Sequence, residues 1–347
     1  MKNIYNFSLE ELEHYFLSIN EKKFRATQVF EWLYRNRINS FDEMTNISKN
    51  VISQLKENFE LEQLEIVTKQ ISSDGTTKYL FKLKDGKLIE TVLMRHNYGN
   101  SICVTTQVGC NMGCSFCASG ELGKVRSLEA GELIEQVLQV QKDLDKDFER
   151  VTNIVVMGIG EPFDNYDNVI KFLRVVNYPK GLEIGARHIT VSTCGIVPKI
   201  YEFAEFELQV NLAISLHAPN DSLRSEIMKI NKAYKIEEVM DAVKYYIQKT
   251  NRRVTFEYIL LRDVNDSEAC AKELARLIKG INAYVNLIPY NEVITKPYKK
   301  VTKEKAEAFY HILDTNHIQA TLRMEHGADI DAACGQLRAK KIEVEHE

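Results

Sequence analysis

Three cysteines lie close together in the first half of the sequence, Cys110, Cys114 and Cys117, with the spacing C-x3-C-x2-C. Three thiolates with this spacing can bind three irons of a [4Fe–4S] cluster, which leaves the fourth iron without a protein ligand. Zinc is the alternative, but it needs four ligands, and no second pair of cysteines or histidines with zinc spacing is evident. The spacing therefore predicts an iron–sulfur cluster with one iron open to a substrate or cofactor.

The other four of the seven cysteines stand apart from this motif. An odd number of cysteines without a secretory leader argues against a disulfide framework. Cys103 lies in an apolar run, where a free cysteine is normally a small buried hydrophobe. Cys334 follows a Gly-rich, acidic segment and is harder to explain as part of the core, whereas Cys194 and Cys270 match no motif and are expected to pack in the interior.

Several polar or glycine-containing motifs follow apolar runs further along the chain. They contain Gly160, Glu161, Ser192, Ser215, Leu216, His217 and Asn291. Each is weak by itself, because a Gly-rich segment is usually only a turn and an asparagine is common in turns. Their shared position after a predicted strand is the more informative feature.

The elements that must position these residues alternate between strands and helices. Apolar runs predict strands at 101–106, 151–157, 188–193, 209–216, 253–261, 283–288 and 319–323. Helical patterns lie between them, among others at 130–144, 235–250, 268–279 and 303–313. Such alternation predicts an α/β fold with a parallel sheet, either a complete or partial (β/α) barrel or an open doubly wound sheet. Because reactive groups of β/α barrels gather at the carboxyl ends of the strands, the positions of the motifs favour the barrel.

The N-terminal part has a different pattern. Residues 1–60 are predicted to be helical, and two alternating segments joined at Asp85-Gly86 predict a β-hairpin. We therefore expect an accessory helical domain over 1–75 that binds RNA, a hairpin linker over 76–100, and the barrel over 101–347.

Composition excludes several classes of protein. The chain has 347 residues, 27% of them charged, and a formal net charge of −4. No segment approaches the ~20 consecutive apolar residues that a membrane-spanning helix needs. The net charge argues against a protein that holds nucleic acid by charge alone, although the lysine-rich stretch at 296–305 could form a local basic surface. We expect a soluble cytoplasmic protein with no membrane partner.

The cysteine motif, with Phe116 before its last cysteine, resembles that of the radical S-adenosylmethionine (radical SAM) superfamily. This resemblance implies that the open iron binds SAM, and that an electron from the cluster cleaves SAM to a 5′-deoxyadenosyl radical. It also implies a partial (β/α)6 barrel of the TIM type. The residues named above at strand ends then line the SAM pocket, with Glu161 accepting a hydrogen bond from the SAM ammonium group.

The segments around Glu90, Cys103 and Cys334 resemble more narrowly the RlmN/Cfr family of RNA adenine methyltransferases. This similarity covers nearly the whole chain. It implies that Cys334 is first methylated and then carries the methyl carbon to the adenine, and that Cys103 resolves the adduct by forming a disulfide with Cys334. Glu90 is the implied base for the ring proton, although Cys103 could compete for that role.

Within this family, RlmN-type enzymes methylate C2, and Cfr-type enzymes methylate C8, of the same 23S rRNA adenosine, adenosine-2503. The catalytic motifs are common to both, but the segments at 187–190, 256–258 and 286–289 are more similar to RlmN. The resemblance thus implies a C2 methyltransferase acting on 23S rRNA and on adenosine-37 of tRNAs. It also implies an electron donor such as flavodoxin or ferredoxin.

Two other functional classes stay open on the residues alone. A glycyl-radical activating enzyme would share the cluster and the barrel, but it needs no methyl-carrying thiol such as Cys334. A zinc-stabilised RNA-binding or scaffold protein would need a fourth ligand. Absorption near ~400 nm would identify an iron–sulfur cluster and exclude the zinc protein.

Overall fold

The fold is described from a computed structural model that covers residues 1–120, 123–323, 327, 329–330 and 337. Its main feature is a ten-stranded sheet in which the spatial order of the strands follows their order in the chain. The strands are β1 (Glu65–Ile71), β2 (Thr77–Lys82), β3 (Leu88–His96), β4 (Gly99–Cys103), β5 (Val151–Val156), β6 (Ile189–Thr193), β7 (Asn211–Ser215), β8 (Val254–Leu260), β9 (Ala283–Pro289) and β10 (Ala320–Leu322).

Helices accompany the sheet throughout the chain. They are α1 (Leu9–Ser18), α2 (Phe24–Glu31), α3 (Lys49–Asn58), α4 (Ala130–Leu144), α5 (Tyr166–Asn177), α6 (Val197–Ala204), α7 (Asp221–Ile227), α8 (Ile236–Thr250), α9 (Glu268–Ile278) and α10 (Lys303–Thr315). Strands β4 to β10 are mutually parallel, and a helix follows each strand from β4 to β9. This is the predicted (β/α)6 arrangement with one further strand, and every predicted strand is present with its ends within three residues.

Alternating burial along the parallel strands shows which face the helices cover. On β6, Val191 is buried while Thr190 and Ser192 are only half-buried. On β9, Val285 and Leu287 are buried while Asn286 is half-buried. A doubly wound sheet would bury both faces under helices, whereas a partial barrel leaves a polar inner face around an open lumen. The burial pattern therefore agrees with the barrel.

The predicted hairpin is confirmed as β2 and β3, with Gly86 in the left-handed region at φ 79° in the turn. It is longer than a short linker, because β3 also pairs antiparallel with β4 and so continues the barrel sheet. The sequence did not predict β1, which adds an outermost antiparallel strand beside β2. The helical N-terminal part consequently ends at Asn58.

Helices α1 to α3 pack on the outside of the barrel through a continuous apolar cluster. Its members include Tyr5, Phe16 and Phe30 from the N-terminal part and Val137 from α4. The side chain of Ser8 caps α1 by accepting from the Glu11 backbone N–H at 3.2 Å. Among the described residues no helix is long and apolar enough to cross a bilayer.

Candidate iron–sulfur and S-adenosylmethionine site

The cysteine loop lies beyond the carboxyl end of β4 and is fixed by contacts from distant parts of the chain. The Ser115 backbone N–H donates to the Ile227 carbonyl at 2.9 Å. The Tyr290 hydroxyl donates to the Phe116 carbonyl at 3.0 Å, and the hydroxyls of Ser115 and Tyr298 lie 2.7 Å apart. The loop is therefore held from α7 and from the segment after β9, both at the carboxyl end of the barrel.

The three thiols of this loop are electrostatic neighbours. Burial raises the pKa of Cys110 to about 11, and nearby Cys117 adds to the shift. Burial also raises the pKa of Cys114, again with contributions from its two partners. Buried thiols so close together become stable thiolates only beside a cationic centre, which an iron–sulfur cluster provides.

The same loop is not arranged around a single ion. Among the described residues no three histidine, cysteine or acidic side chains converge on one point that would suit a metal ion. A cubane cluster does not need such convergence, because each thiolate binds a different iron. The donor set of Cys110, Cys114 and Cys117 thus fits a cluster, and these are the residues that would hold it.

The glycine turn after β5 is packed against the start of the cysteine segment. Gly160 has φ 104°, and a Cβ at this position would lie 2.6 Å from Cβ of Gln107. Only glycine fits such a conformation and such a contact. The Gln107 side-chain oxygen in turn accepts from the Glu161 backbone N–H at 3.0 Å, so the turn and the cysteine segment form one rigid unit.

Glu161 is deeply buried at this turn. Its carboxylate oxygens accept from the backbone N–H groups of Phe163 at 3.0 Å and Cys194 at 2.8 Å. Burial raises the pKa of Glu161, which the hydrogen bonds partly oppose. A buried carboxylate with these neutral donors suits a cationic ligand such as an ammonium group, the contact predicted from the resemblance.

The remaining predicted SAM contacts lie at the carboxyl ends of their strands. The Ser192 hydroxyl donates to the Val156 carbonyl at 3.0 Å. His217 follows Ser215 and Leu216 with φ 56°, and its Nδ1 accepts from the Ile259 backbone N–H at 3.1 Å, which indicates a neutral ring. Burial lowers the pKa of His217 to about 3. Asn291 is exposed just after β9.

Arg224 is a residue of this site that sequence reasoning missed. Its guanidinium is fully buried and donates to the carbonyls of Cys194 at 2.6 Å, Leu216 at 3.1 Å and Ser215 at 3.3 Å. Two strand ends are therefore joined through one buried cation, which also lies close enough to Cys114 to interact with its charge. The only sequence signal would have been an arginine on a short helix between the apolar residues Leu223 and Ile227.

Glu90 and Cys103 lie on the same inner face of β3 and β4. Val92 pairs with Cys103, and Glu90 is two residues from Val92 on the same face of the strand. Cys103 contacts an apolar group that contains Val92 and Met94. Glu90 is 3% exposed and forms a salt bridge at 2.9 Å with Lys78, which is 0% exposed. This buried partner of Glu90 was not predicted.

Cys334 lies outside the described residues, but described residues on both sides of it contact β2 and β3 or the turn between β1 and β2. The Asp329 carboxylate accepts from the Ser72 hydroxyl, and from the Ser73 backbone N–H at 2.9 Å. Leu337 is buried against Leu80 and Leu88. Leu80 pairs with Glu90 across β2 and β3, so Leu337 packs on the face that carries Glu90.

A buried acid that the sequence did not predict lies on the inner face of the barrel. Glu257 on β8 accepts from the Asn286 side chain at 2.8 Å, and burial raises its pKa to about 7.

The predicted lysine-rich surface at 296–305 is largely ion-paired. Lys299 contacts Glu292 at 3.1 Å and Lys305 contacts Asp263 at 2.6 Å. That surface remains a prediction.

Comparison with known proteins places these features in a family. Residues 104–275 match the radical SAM superfamily, and residues 2–61 match the ribosomal RNA large subunit methyltransferase N-terminal domain. The chain is 59% identical to a probable dual-specificity RNA methyltransferase RlmN of Geobacillus kaustophilus, over 98% of this chain and 93% of that protein. It is 57% identical to a protein with the same description from Acholeplasma laidlawii, over 98% of this chain and 99% of that one.

A solved structure shows the same relationship in three dimensions. The crystal structure of a radical SAM methyltransferase from Sphaerobacter thermophilus matches with a TM-score of 0.92 and 43% identity, covering 97% of this chain and 99% of that one. The similarity thus spans the N-terminal helices, the antiparallel strands and the barrel together. The chain belongs to the RlmN family of radical SAM RNA methyltransferases.

Proposed function

We propose that this enzyme methylates C2 of adenosine-2503 in 23S rRNA and of adenosine-37 in tRNAs, in the cytoplasm. The names of its close relatives support two RNA substrates. The structural observation that carries the proposed chemistry is the position of Leu337, three residues after Cys334 in the sequence, on the same sheet face as Glu90. Cys103 lies on that face too, opposite Val92.

The cofactors proposed are a [4Fe–4S] cluster held by Cys110, Cys114 and Cys117, and SAM. When bound, they would supply a 5′-deoxyadenosyl radical, with the electron delivered by a donor such as flavodoxin or ferredoxin. The proposed contacts to SAM are made by Gly160, Glu161, Ser192, Ser215, Leu216, His217 and Asn291. The buried Glu161 carboxylate would orient the ammonium group of SAM.

The protein residues then perform the transfer. Adenine C2 is electron-poor and does not attack a methylsulfonium, so Cys334 carries the methyl group as a thioether. Loss of one hydrogen atom from that methyl group to the radical leaves a carbon radical on Cys334, which adds to C2. Glu90 accepts the ring proton, and the unpaired electron of the adduct would pass to the bound cluster. The Cys103 thiolate then attacks the Cys334 sulfur and breaks its bond to the transferred carbon, which takes up a proton and becomes the methyl group of the released RNA, and a disulfide remains.

The experiment is an anaerobic reaction of the reconstituted protein with SAM, a reductant and unmodified 23S rRNA or tRNA. Nucleosides are separated by mass spectrometry against 2-methyl and 8-methyladenosine standards. We expect 2-methyladenosine from the natural protein and none from Cys334→Ala. Cys103→Ala should instead accumulate protein covalently joined to RNA, because the adduct is not resolved.

Cys270→Ala is the matched control, since Cys270 is half-buried on α9 and belongs to no motif. It should keep the activity of the natural protein. An 8-methyladenosine product would contradict C2 methylation and indicate the Cfr-type reaction. Cleavage of SAM to 5′-deoxyadenosine without a methylated nucleoside would contradict the RNA substrates.

A further inference from the structure

Three arginines surround a polar cavity at the amino ends of β6, β7 and β8, opposite to the cysteine loop. The cavity has a volume of about 690 Å³, and Arg187, Arg252 and Arg253 are among its lining residues. Thr190, Asn211 and Thr255 line it from the three strands, and all three lie on the half-buried inner face. The cavity therefore lies where the barrel lumen opens at the amino ends of the strands.

Each of these arginines is held by a neutral amide. Arg187 donates to the Gln209 side-chain oxygen at 3.1 Å, and Arg253 donates to that of Gln319 at 3.2 Å. Arg252 donates to the side-chain oxygen of Asn211. The described residues lining the cavity include no aspartate or glutamate, and none of the three arginines has an ion pair with a described residue.

Several arginines elsewhere on the molecule are instead paired with carboxylates. Arg37 contacts Asp145 at 2.8 Å, and Arg174 contacts Glu207 at 2.6 Å. With a net charge of −4 and 49 acidic residues, the chain has carboxylates available for such pairs. Amide partners orient a guanidinium but leave its charge uncompensated, so like charges accumulate at the cavity.

The orientation of the side chains is also constrained. Arg253 stacks over the Tyr284 ring, with its guanidinium carbon 4.7 Å from the ring centroid. Nε of Arg252 is enclosed in the protein, and no described residue offers it an acceptor. Guanidinium groups held in fixed directions match the oxygens of a phosphate, to which they can donate in pairs.

We propose that this cavity binds a phosphate group, carried either by an RNA backbone or as a free anion. The cavity lies at the ends of strands opposite to those that carry the cysteine loop. A five-residue strand spans roughly 17 Å, so the phosphate does not take part in the methyl transfer. The RNA source rests on the proposed function, whereas binding of a free anion does not.

The first experiment titrates inorganic phosphate into the protein by isothermal calorimetry. The variant is R187Q/R252Q/R253Q, which removes three charges at the cavity. The control is K244Q/K249Q/R276Q, which removes three charges from the outer faces of α8 and α9. A free-anion site predicts phosphate binding that the cavity variant weakens at least tenfold and the control variant retains.

The second experiment measures affinity for unmodified tRNA and for a 23S rRNA fragment against salt concentration. If the cavity holds backbone phosphate, the cavity variant should reduce the magnitude of the negative slope of log K against log salt by roughly 1–2, since each lost phosphate contact removes about 0.7–0.9. The control variant should leave the slope near that of the natural protein. Thermal unfolding of all three proteins checks that the substitutions leave the fold intact.

Each result identifies a source or overturns the proposal. Loss of phosphate binding with an unchanged RNA slope assigns a free-anion site. A salt dependence of RNA binding that is less steep, with or without phosphate binding, assigns contact with the RNA backbone. If the cavity variant matches the control variant in both experiments, the cavity binds no phosphate and the proposal is wrong. None of these results depends on methyl transfer.

Discussion

At the scale of single residues, the site is organised by charges that are buried in pairs or held by carbonyl groups. Lys78 and Glu90 form an ion pair inside the protein, and Arg224 donates to three main-chain carbonyls at strand ends. Burying a charge costs several kcal/mol unless such partners compensate for it. Arg224 therefore braces the strand ends on which the proposed SAM contacts lie.

Replacement of Arg224 tests this bracing. Arg224→Met should lower the free energy of unfolding by about 3–5 kcal/mol, because three buried carbonyls lose their donor. Arg224→Lys should lower it less, since an ammonium group can reach some of the same carbonyls. Urea unfolding measures both, with Arg276→Met on α9 as the control. A change below about 1 kcal/mol for Arg224→Met would show that water replaces the guanidinium.

At the scale of elements, α4 joins the N-terminal helices to the barrel and carries a buried acid. Glu135 on α4 accepts from the Leu64 backbone N–H at 3.2 Å and from the Gln139 side chain at 3.0 Å. Its second oxygen, and the hydroxyls of Tyr5 and Tyr34, are enclosed and have no hydrogen-bond partner in the part of the chain that the structure describes. Burial raises the pKa of Glu135 from an ordinary value of 4.5 to about 7.

This shift predicts a pH dependence of stability. Between pH 4.5 and 7 the folded protein retains a proton on Glu135 that the unfolded chain has lost, so its contribution to stability falls as pH rises. The shift corresponds to about 3 kcal/mol. Glu135→Gln removes this titration and keeps an amide oxygen as acceptor. As the pH rises from 5 to 8, the free energy of unfolding of the variant should therefore increase by about 3 kcal/mol relative to that of the natural protein.

Urea unfolding at several pH values measures this difference. Glu257 also titrates in this range, but it is present in both proteins and cancels in the comparison. The exposed Glu237→Gln on α8 is the control and should show no such gain. If the difference in free energy of unfolding between Glu135→Gln and the natural protein stays constant with pH, Glu135 is ionised in the folded state.

At the scale of the whole molecule, the N-terminal helices and the barrel share one apolar cluster. Phe30 on α2 packs against the Tyr178 ring at a centroid distance of 5.1 Å. Arg37 is paired with Asp145 at 2.8 Å, and Lys171 with Glu11 at 2.8 Å. Such shared packing couples the stability of the two parts, whatever boundaries separate them in sequence.

We expect a single unfolding transition for this reason. The one tryptophan, Trp32, lies in the N-terminal part, so its fluorescence reports on that part, while far-UV circular dichroism reports on the whole chain. The two signals should change at the same urea concentration. Phe30→Ala should shift both together, by about 3 kcal/mol, because it leaves a cavity at the shared interface. An earlier change in fluorescence alone would contradict the coupling.

The sequence by itself determined the features that depend on local patterns. Alternating strands and helices predicted the barrel, and cysteine spacing predicted the iron–sulfur cluster that family membership now implies. It did not reveal β1, because this edge strand is mostly exposed and lacks an apolar alternation. The accessory, linker and barrel boundaries stay predictions.

Only the tertiary structure decided which charges meet. Lys78 contacts Glu90 because their strands pair, and Arg224 donates to carbonyls on two other segments. Three arginines line a cavity at the amino ends of the barrel strands. Each of these contacts depends on the register and closure of the sheet, which no local pattern encodes. Spacing along the chain specifies the chemistry of neighbouring residues, whereas the juxtaposition of distant charges follows from how strands pair and helices pack.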